Sequence, residues 1–74
     1  LVKIYVVEQI RCFINSKVVL TTIDQDEALR KFKSDVGANT LQVWEEGKRL
    51  IYIEPFRCGY RVEGELKEIE EKLQ

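Results

Sequence analysis

The sequence predicts an α+β domain, a small and mostly antiparallel sheet with a helix packed on one face. Three observations lead there. Residues 2–14 place apolar side chains at nearly every second position, the period of a half-buried strand. Residues 24–37 carry an apolar stripe at helical spacing between recognisable start and stop signals. Residues 41–53, LQVWEEGKRLIYI, are two β-prone runs flanking a glycine-containing turn. The predicted order is ββαββ, then a short strand or arm, then a C-terminal helix, all within a single domain spanning residues 1–74.

The first strand is read from Val2, Ile4, Val6, Ile10, Cys12 and Ile14, which share even parity and are taken as the inward face, against Lys3, Gln9, Arg11 and Asn15. Glu8 interrupts that face, so a bend, a bulge or a strand end is expected near residues 8–9. Asn15-Ser16-Lys17 suits a turn, and the β-branched run VVLTTI, residues 18–23, suits the returning strand. Asp24 is placed to cap a helix, with Glu27 three residues on as in a capping box. Ala28, Leu29, Phe32 and Val36 form its stripe, acids lead and bases follow, and Gly37 is expected to end it.

The hairpin admits two registers. A two-residue Glu46-Gly47 turn puts Leu41 and Val43 on the face of Leu50 and Tyr52. A three-residue loop, Glu45-Glu46-Gly47, unites Leu41, Val43, Ile51 and Ile53 instead and sets Trp44, Leu50 and Tyr52 opposite. The second makes the more complete aliphatic face and is preferred. Pro55 cannot donate to a ladder, so it is read as a strand end or an edge. Phe56, Cys58, Tyr60 and Val62 then alternate with Arg57, Gly59 and Arg61, as in a fifth strand or an extended arm. After Gly64, a narrow stripe of Leu66, Ile69 and Leu73 marks the last helix, with Glu68 and Lys72 spaced as an i,i+4 pair.

Composition narrows the function classes. At 74 residues with 45% apolar and 34% charged side chains, the chain has the make-up of a globular domain with a thin core. A net charge of −1 supplies no bulk attraction to nucleic acid or anionic lipid. No apolar run has the roughly 18 residues of a membrane span, and that of LVKIYVVEQI is too short for a signal peptide, so a cytoplasmic protein is expected. Cys12 and Cys58 are far apart in sequence, form no C-x-x-C, and are read as reduced, buried small hydrophobes. With no histidine, Cys–His and Ser–His nucleophile pairs are excluded within the chain, and no four-ligand zinc set can be assembled from it. The carboxylate pairs Asp24/Asp26, Glu45/Glu46 and Glu70/Glu71 read as a helix start, a hairpin tip and an exposed helix face. The four glycines fit no phosphate-binding pattern. No enzyme activity, cofactor or metal is expected.

The candidate site follows from the hairpin. One helix can shield one sheet face, which leaves Trp44, Leu50 and Tyr52 to be accounted for. The C-terminal stripe can cover them, a second copy can pair with them, or a foreign protein can dock there. The reading leans to cover for Trp44 and to contact for Tyr52, because a tyrosine combines a large apolar ring with a wet tip. Trp44, Lys48, Arg49, Leu50, Tyr52 and Arg57 are therefore the candidate protein-binding residues. Lys48, Arg49, Arg57 and Arg61, with Trp44 and Tyr52 to stack on, form an alternative nucleic-acid surface. Against that stands the plainer use of those cations, to cover apolar edges and neutralise Glu45, Glu46 and Glu54. Charge is also uneven along the chain: residues 63–74 hold five glutamates and two lysines, most simply a solvated face.

KIYVV, IDQDEALRKF and VWEEGKRL, within residues 3–53, together resemble small uncharacterised α+β proteins encoded by phages and other mobile elements. That resemblance implies a non-enzymatic protein that binds and inhibits or redirects a host protein. It implies no particular target and does not extend over residues 56–74.

Overall fold

The computed structural model describes residues 2–12, 15–34, 38–57 and 59–73. Five strands, β1 (Lys3–Cys12), β2 (Asn15–Thr22), β3 (Ala38–Glu45), β4 (Lys48–Phe56) and β5 (Gly59–Gly64), form one antiparallel sheet in the order β2-β1-β3-β4-β5. Helix α1 (Gln25–Phe32) links β2 to β3, and α2 (Lys67–Glu70), continued by a 3₁₀ turn at Glu71–Leu73, follows β5. Because β2 and β3 are both antiparallel to β1, which lies between them, they run parallel to each other and require a crossover. The helix α1 supplies it.

Asp24 starts α1 as expected. Its side chain accepts from the backbone N–H groups of Asp26 and Glu27, at 3.0 and 3.3 Å. The reciprocal half of a capping box is replaced: the Asp24 N–H donates to Thr22 Oγ1 at 3.0 Å. Asp24→Ala is expected to cost about 1 kcal/mol, while Asp24→Asn, an equally good cap, costs little; urea midpoints of the two variants check this. The helix ends at Phe32, earlier than the expected stop at Gly37. Its terminal carbonyls are taken by side chains: the Ser34 hydroxyl donates to the Lys31 oxygen at 2.8 Å, and the buried Asn39 amide donates to Lys31 at 3.2 Å and Phe32 at 3.4 Å. A partner from β3 thus does the work assigned to a local glycine. Val36, Gly37, Cys58 and the side chain of Cys12 lie outside the described residues.

The core lies between the sheet and both helices. Tyr5 and Val7 from β1, Leu41 and Val43 from β3, and Ile51 and Ile53 from β4 form one buried cluster with Ala28, Leu29 and Phe32 of α1 and Ile69 of α2. Tyr5 and Val7 are odd positions, which corrects the expected inward parity of β1. Val2, Ile4 and Ile10 are exposed on the opposite face, Ile4 at 43% and Ile10 at 39%. Both parities of β1 are apolar, and register decides between them. Tyr5 pairs with Val43 and Val7 with Leu41, so the odd set joins the aliphatics that the helices cover.

Two bulges complete the core. Between Val7 and Glu8 the β2 register shifts and Val19 is the extra residue, at the place where Glu8 foretold an irregularity. Between Val43 and Trp44 the β4 register shifts and Leu50 is the extra residue. Both Val19 and Leu50 pack against the core cluster. The second bulge resolves the register question in an unexpected way. Glu45 pairs with Lys48 around a two-residue turn, with Glu46 at φ 51° and Gly47 at φ 78°, the left-handed pair of a type I′ hairpin. The three-residue loop is not used, yet Leu41, Val43, Ile51 and Ile53 still share a face, because Leu50 absorbs the offset. Asn15, Ser16 and Lys17 are likewise not a turn but already pair with β1.

Pro55 lies inside β4, opposite Tyr60 of β5. The β3 pairing of β4 runs only to Ile53, so the proline stands where the strand has no neighbour on that side. The C-terminal segment is held by contacts with other elements. Lys72 Nζ reaches Gln25 Oε1 at 2.8 Å and Asp26 Oδ1 at 3.4 Å, and Lys33 Nζ donates to the Lys72 carbonyl at 2.7 Å. Glu68 pairs with Lys3 at 3.6 Å instead of forming the expected local pair with Lys72.

Candidate interaction face

With both helices on one side, the other side of the sheet is uncovered by any described element. The expectation that the C-terminal helix shields Trp44 is therefore corrected: Ile69 is fully buried in the helix-side core, and α2 lies on the opposite face from the indole. In β1 the open face carries Ile4, Val6, Glu8 and Ile10; in β3, Gln42 and Trp44; in β4, Arg49, Tyr52 and Glu54; in β5, Arg61 and Glu63.

Cross-strand pairing assembles these residues. Ile4 stands opposite Trp44, Val6 opposite Gln42, and Gln42 opposite Tyr52. Trp44 Nε1 donates to Gln42 Oε1 at 3.1 Å, and Gln42 Nε2 donates to Glu8 Oε1 at 2.8 Å. The bulge puts Arg49 opposite Trp44, and its guanidinium lies 5.0 Å from the centre of the Tyr52 ring. A cation over a ring at the surface contributes about 0.5–1 kcal/mol and restrains both groups. The Tyr52 hydroxyl donates to Glu54 Oε2 at 3.3 Å. Partial burial above all, then the Glu54 carboxylate, raises the phenol pKa, with Arg49 pulling the other way. The phenol therefore stays neutral at physiological pH. Trp44 and Tyr52 are each half-buried, with polar tips engaged by neighbours and ring surface left over.

Of the residues singled out in the sequence, Trp44, Arg49 and Tyr52 come together here, with Lys48 exposed at the adjoining hairpin end. Leu50, expected beside them, is the bulge residue that packs on the core, and Arg49 takes its place. Arg57 is not part of the group. It sits in the β4–β5 turn at φ 53°, its guanidinium 5.3 Å from the Phe56 ring centre, and nine strand positions separate it from Lys48, about 30 Å. Arg61 is flanked by carboxylates, Glu54 at 3.8 Å and Glu63 at 3.7 Å. The sequence reading missed Ile4, Val6 and Gln42 as members of this face. The signal for Ile4 and Val6 is present in the even alternation of β1, which reads equally well as a core face.

Three of the carboxylates in the Asp24/Asp26 and Glu45/Glu46 pairs have structural roles: Asp24 caps α1, Asp26 pairs with Lys72, and Glu45 pairs with Lys3 at 3.6 Å. Among the described residues no group of three or more His, Cys, Asp or Glu side chains could hold a metal ion, and no helix is long and apolar enough to cross a membrane. An open depression of about 410 Å³ lies between α1 and β2, lined by Val19, Leu20, Glu27, Arg30, Lys31 and Ser34. Its charged groups lie on the exposed side of α1 and do not converge on a buried polar centre. The chain matches no known protein family, no curated protein and no solved structure in these comparisons.

Proposed function

We propose that this chain is a non-enzymatic protein-interaction module that engages a heterologous protein through the open sheet face and modulates or inhibits that partner by occupying it. One observation carries the reading: both helices bury their apolar stripes on the same side, so among the described residues no helix covers Ile4, Val6, Trp44 and Tyr52. Of these, Ile4 is exposed and the other three are partly buried by their neighbours in the sheet. Clustered aromatics with restrained rings and a flanking arginine are the composition of interface hot spots. They present large apolar area at small entropic cost, because their polar tips are already held. The resemblance to mobile-element proteins agrees with a binding role in a host cytoplasm.

The nucleic-acid alternative is weaker. Glu8, Glu54 and Glu63 interleave with Arg49 and Arg61 on this face, and Arg57 is remote from Lys48. Phosphate contacts release counterions only where cations are not already neutralised by the protein's own carboxylates.

Tyr52→Ala is expected to abolish capture of the partner protein from a host lysate while shifting Tm by no more than about 3 °C. Parallel capture with the wild-type chain and with Lys17→Ala, remote at the β2 edge, identifies proteins whose retention depends on the aromatic face. Equal retention by all three chains, or a collapse of stability in the Tyr52 variant, overturns the reading. Salt-titrated binding to DNA and RNA decides the alternative: affinity at low salt that falls when Arg49 and Lys48 are replaced by alanine would favour it.

A further inference from the structure

We infer that the free edge of β5 is a self-pairing surface: two copies of this chain join antiparallel through Gly59–Gly64, with Val62 opposite Val62, and continue one sheet into the next. This stands independently of the proposed use of the open face. The sheet has two edges, β2 and β5. The β2 ladder contains two register shifts, the distortion that commonly twists an edge away from intermolecular pairing. The β5 ladder has none across its six pairs with β4. Up to Gly64, whose φ of 93° ends the extended run, it is the more regular edge of the molecule.

The phase of the hydrogen bonds agrees. The Glu65 N–H donates to the Leu50 carbonyl at 3.3 Å. In an antiparallel pair the bonded positions alternate, so Glu63, Arg61 and Gly59 turn their backbone groups toward β4, while Gly64, Val62 and Tyr60 turn theirs outward. The outward set is centred on Val62.

The side chains select the same register. With Val62 on a two-fold axis, Arg61 of each copy lies opposite Glu63 of the other, and Tyr60 lies opposite Gly64. Centring on Arg61 or Glu63 would place like charges face to face and turn the outward hydrogen-bonding groups out of register. The present contacts of Arg61 to Glu54 and Glu63 are exposed pairs, so exchanging one for an intermolecular carboxylate costs little. On the helix side, Tyr60 is 44% and Val62 37% exposed, and pairing sets Val62 against Val62 of the other copy. The Tyr60 ring, 5.3 Å from that of Phe32, then spans the opposing glycine.

A single strand pair is a small interface, so dimers are expected between about 10 µM and 1 mM. Sedimentation velocity of the full chain over that range tests this. Val62→Pro removes an outward N–H that β4 does not use, and is expected to leave only monomer with an unchanged circular dichroism spectrum. Arg61→Glu sets one glutamate opposite Glu63 of the other copy on each side of the axis and should weaken the dimer about tenfold; the double variant Arg61→Glu/Glu63→Arg should recover affinity to within about threefold. Should the proline variant unfold, the charge exchange decides alone. A wild-type monomer up to about 1 mM, a dimer indifferent to the charge variants, or a dimer lost with Tyr52→Ala but kept in Arg61→Glu overturns the inference.

Discussion

Ile69→Ala is expected to destabilise the protein by about 3–4 kcal/mol, a substantial share of the 5–15 kcal/mol typical of a domain. Helix α2 has four residues and no side-chain N-cap, far short of the roughly 12–15 residues at which an isolated helix becomes even marginally stable. Its existence depends on docking. Ile69 is 0% exposed among the aliphatics of β1, β3 and β4, and Leu66 and Leu73 pack at the margin of that cluster. Removing the γ and δ carbons loses their transfer free energy and leaves a cavity beneath a segment otherwise tied by the marginal packing of Leu66 and Leu73, exposed ion pairs and lysine hydrogen bonds. Urea unfolding gives the loss directly. A loss below about 1 kcal/mol would mean that α2 is not integral to the helix-side core and is free to lie elsewhere, over Trp44 and Tyr52 included.

Gly64→Ala is expected to cost about 3 kcal/mol, lowering Tm by roughly 12–24 °C for a chain of this size. Two penalties coincide. Gly64 has φ 93°, a conformation that side chains oppose, and a Cβ there would run into the Leu50 carbonyl oxygen, with Ile51 Cα only 3.1 Å away. That carbonyl belongs to the bulge and accepts the Glu65 N–H that turns the chain toward α2. Movement of either partner disturbs the bulge, the end of β5 and the approach to Ile69 together. Gly47 is the control, since its φ of 78° is also left-handed but nothing lies within 4 Å of an added Cβ. Gly47→Ala should therefore cost only about 1 kcal/mol. Equal losses in the two variants would show that the Leu50 contact adds nothing beyond backbone conformation; scanning calorimetry distinguishes the cases.

The Leu50 bulge also shows how far local pattern carries. Two residues of β4 oppose Trp44, and that extra residue allows a tight Glu46-Gly47 turn to coexist with the aliphatic face formed by Leu41, Val43, Ile51 and Ile53. The face was legible because period-two spacing is a local property of each strand. The turn length was not, because an offset introduced three residues beyond a turn leaves no local mark. The same limit applies to Arg49, which stands beside Tyr52 only because of that offset.

What the sequence determined about this protein is its set of locally encoded parts. Asp24 begins a helix because a carboxylate there meets free N–H groups within the same turn, and residues 41–53 form a hairpin because glycine tolerates the reversal. The absence of histidine and the scattered glycines and cysteines likewise narrow the chemistry before any folding is considered. Which side of the sheet became the core was settled in three dimensions. β1 is apolar on both parities, so its alternation is compatible with either face inward, and the pairing of Tyr5 and Val7 with β3 aligned the odd set with the strands that both helices cover. The stripes of α1 and α2 meet the sheet in one continuous cluster, which takes their apolar surface out of water together, and Ile4, Val6, Trp44 and Tyr52 remain on the other face.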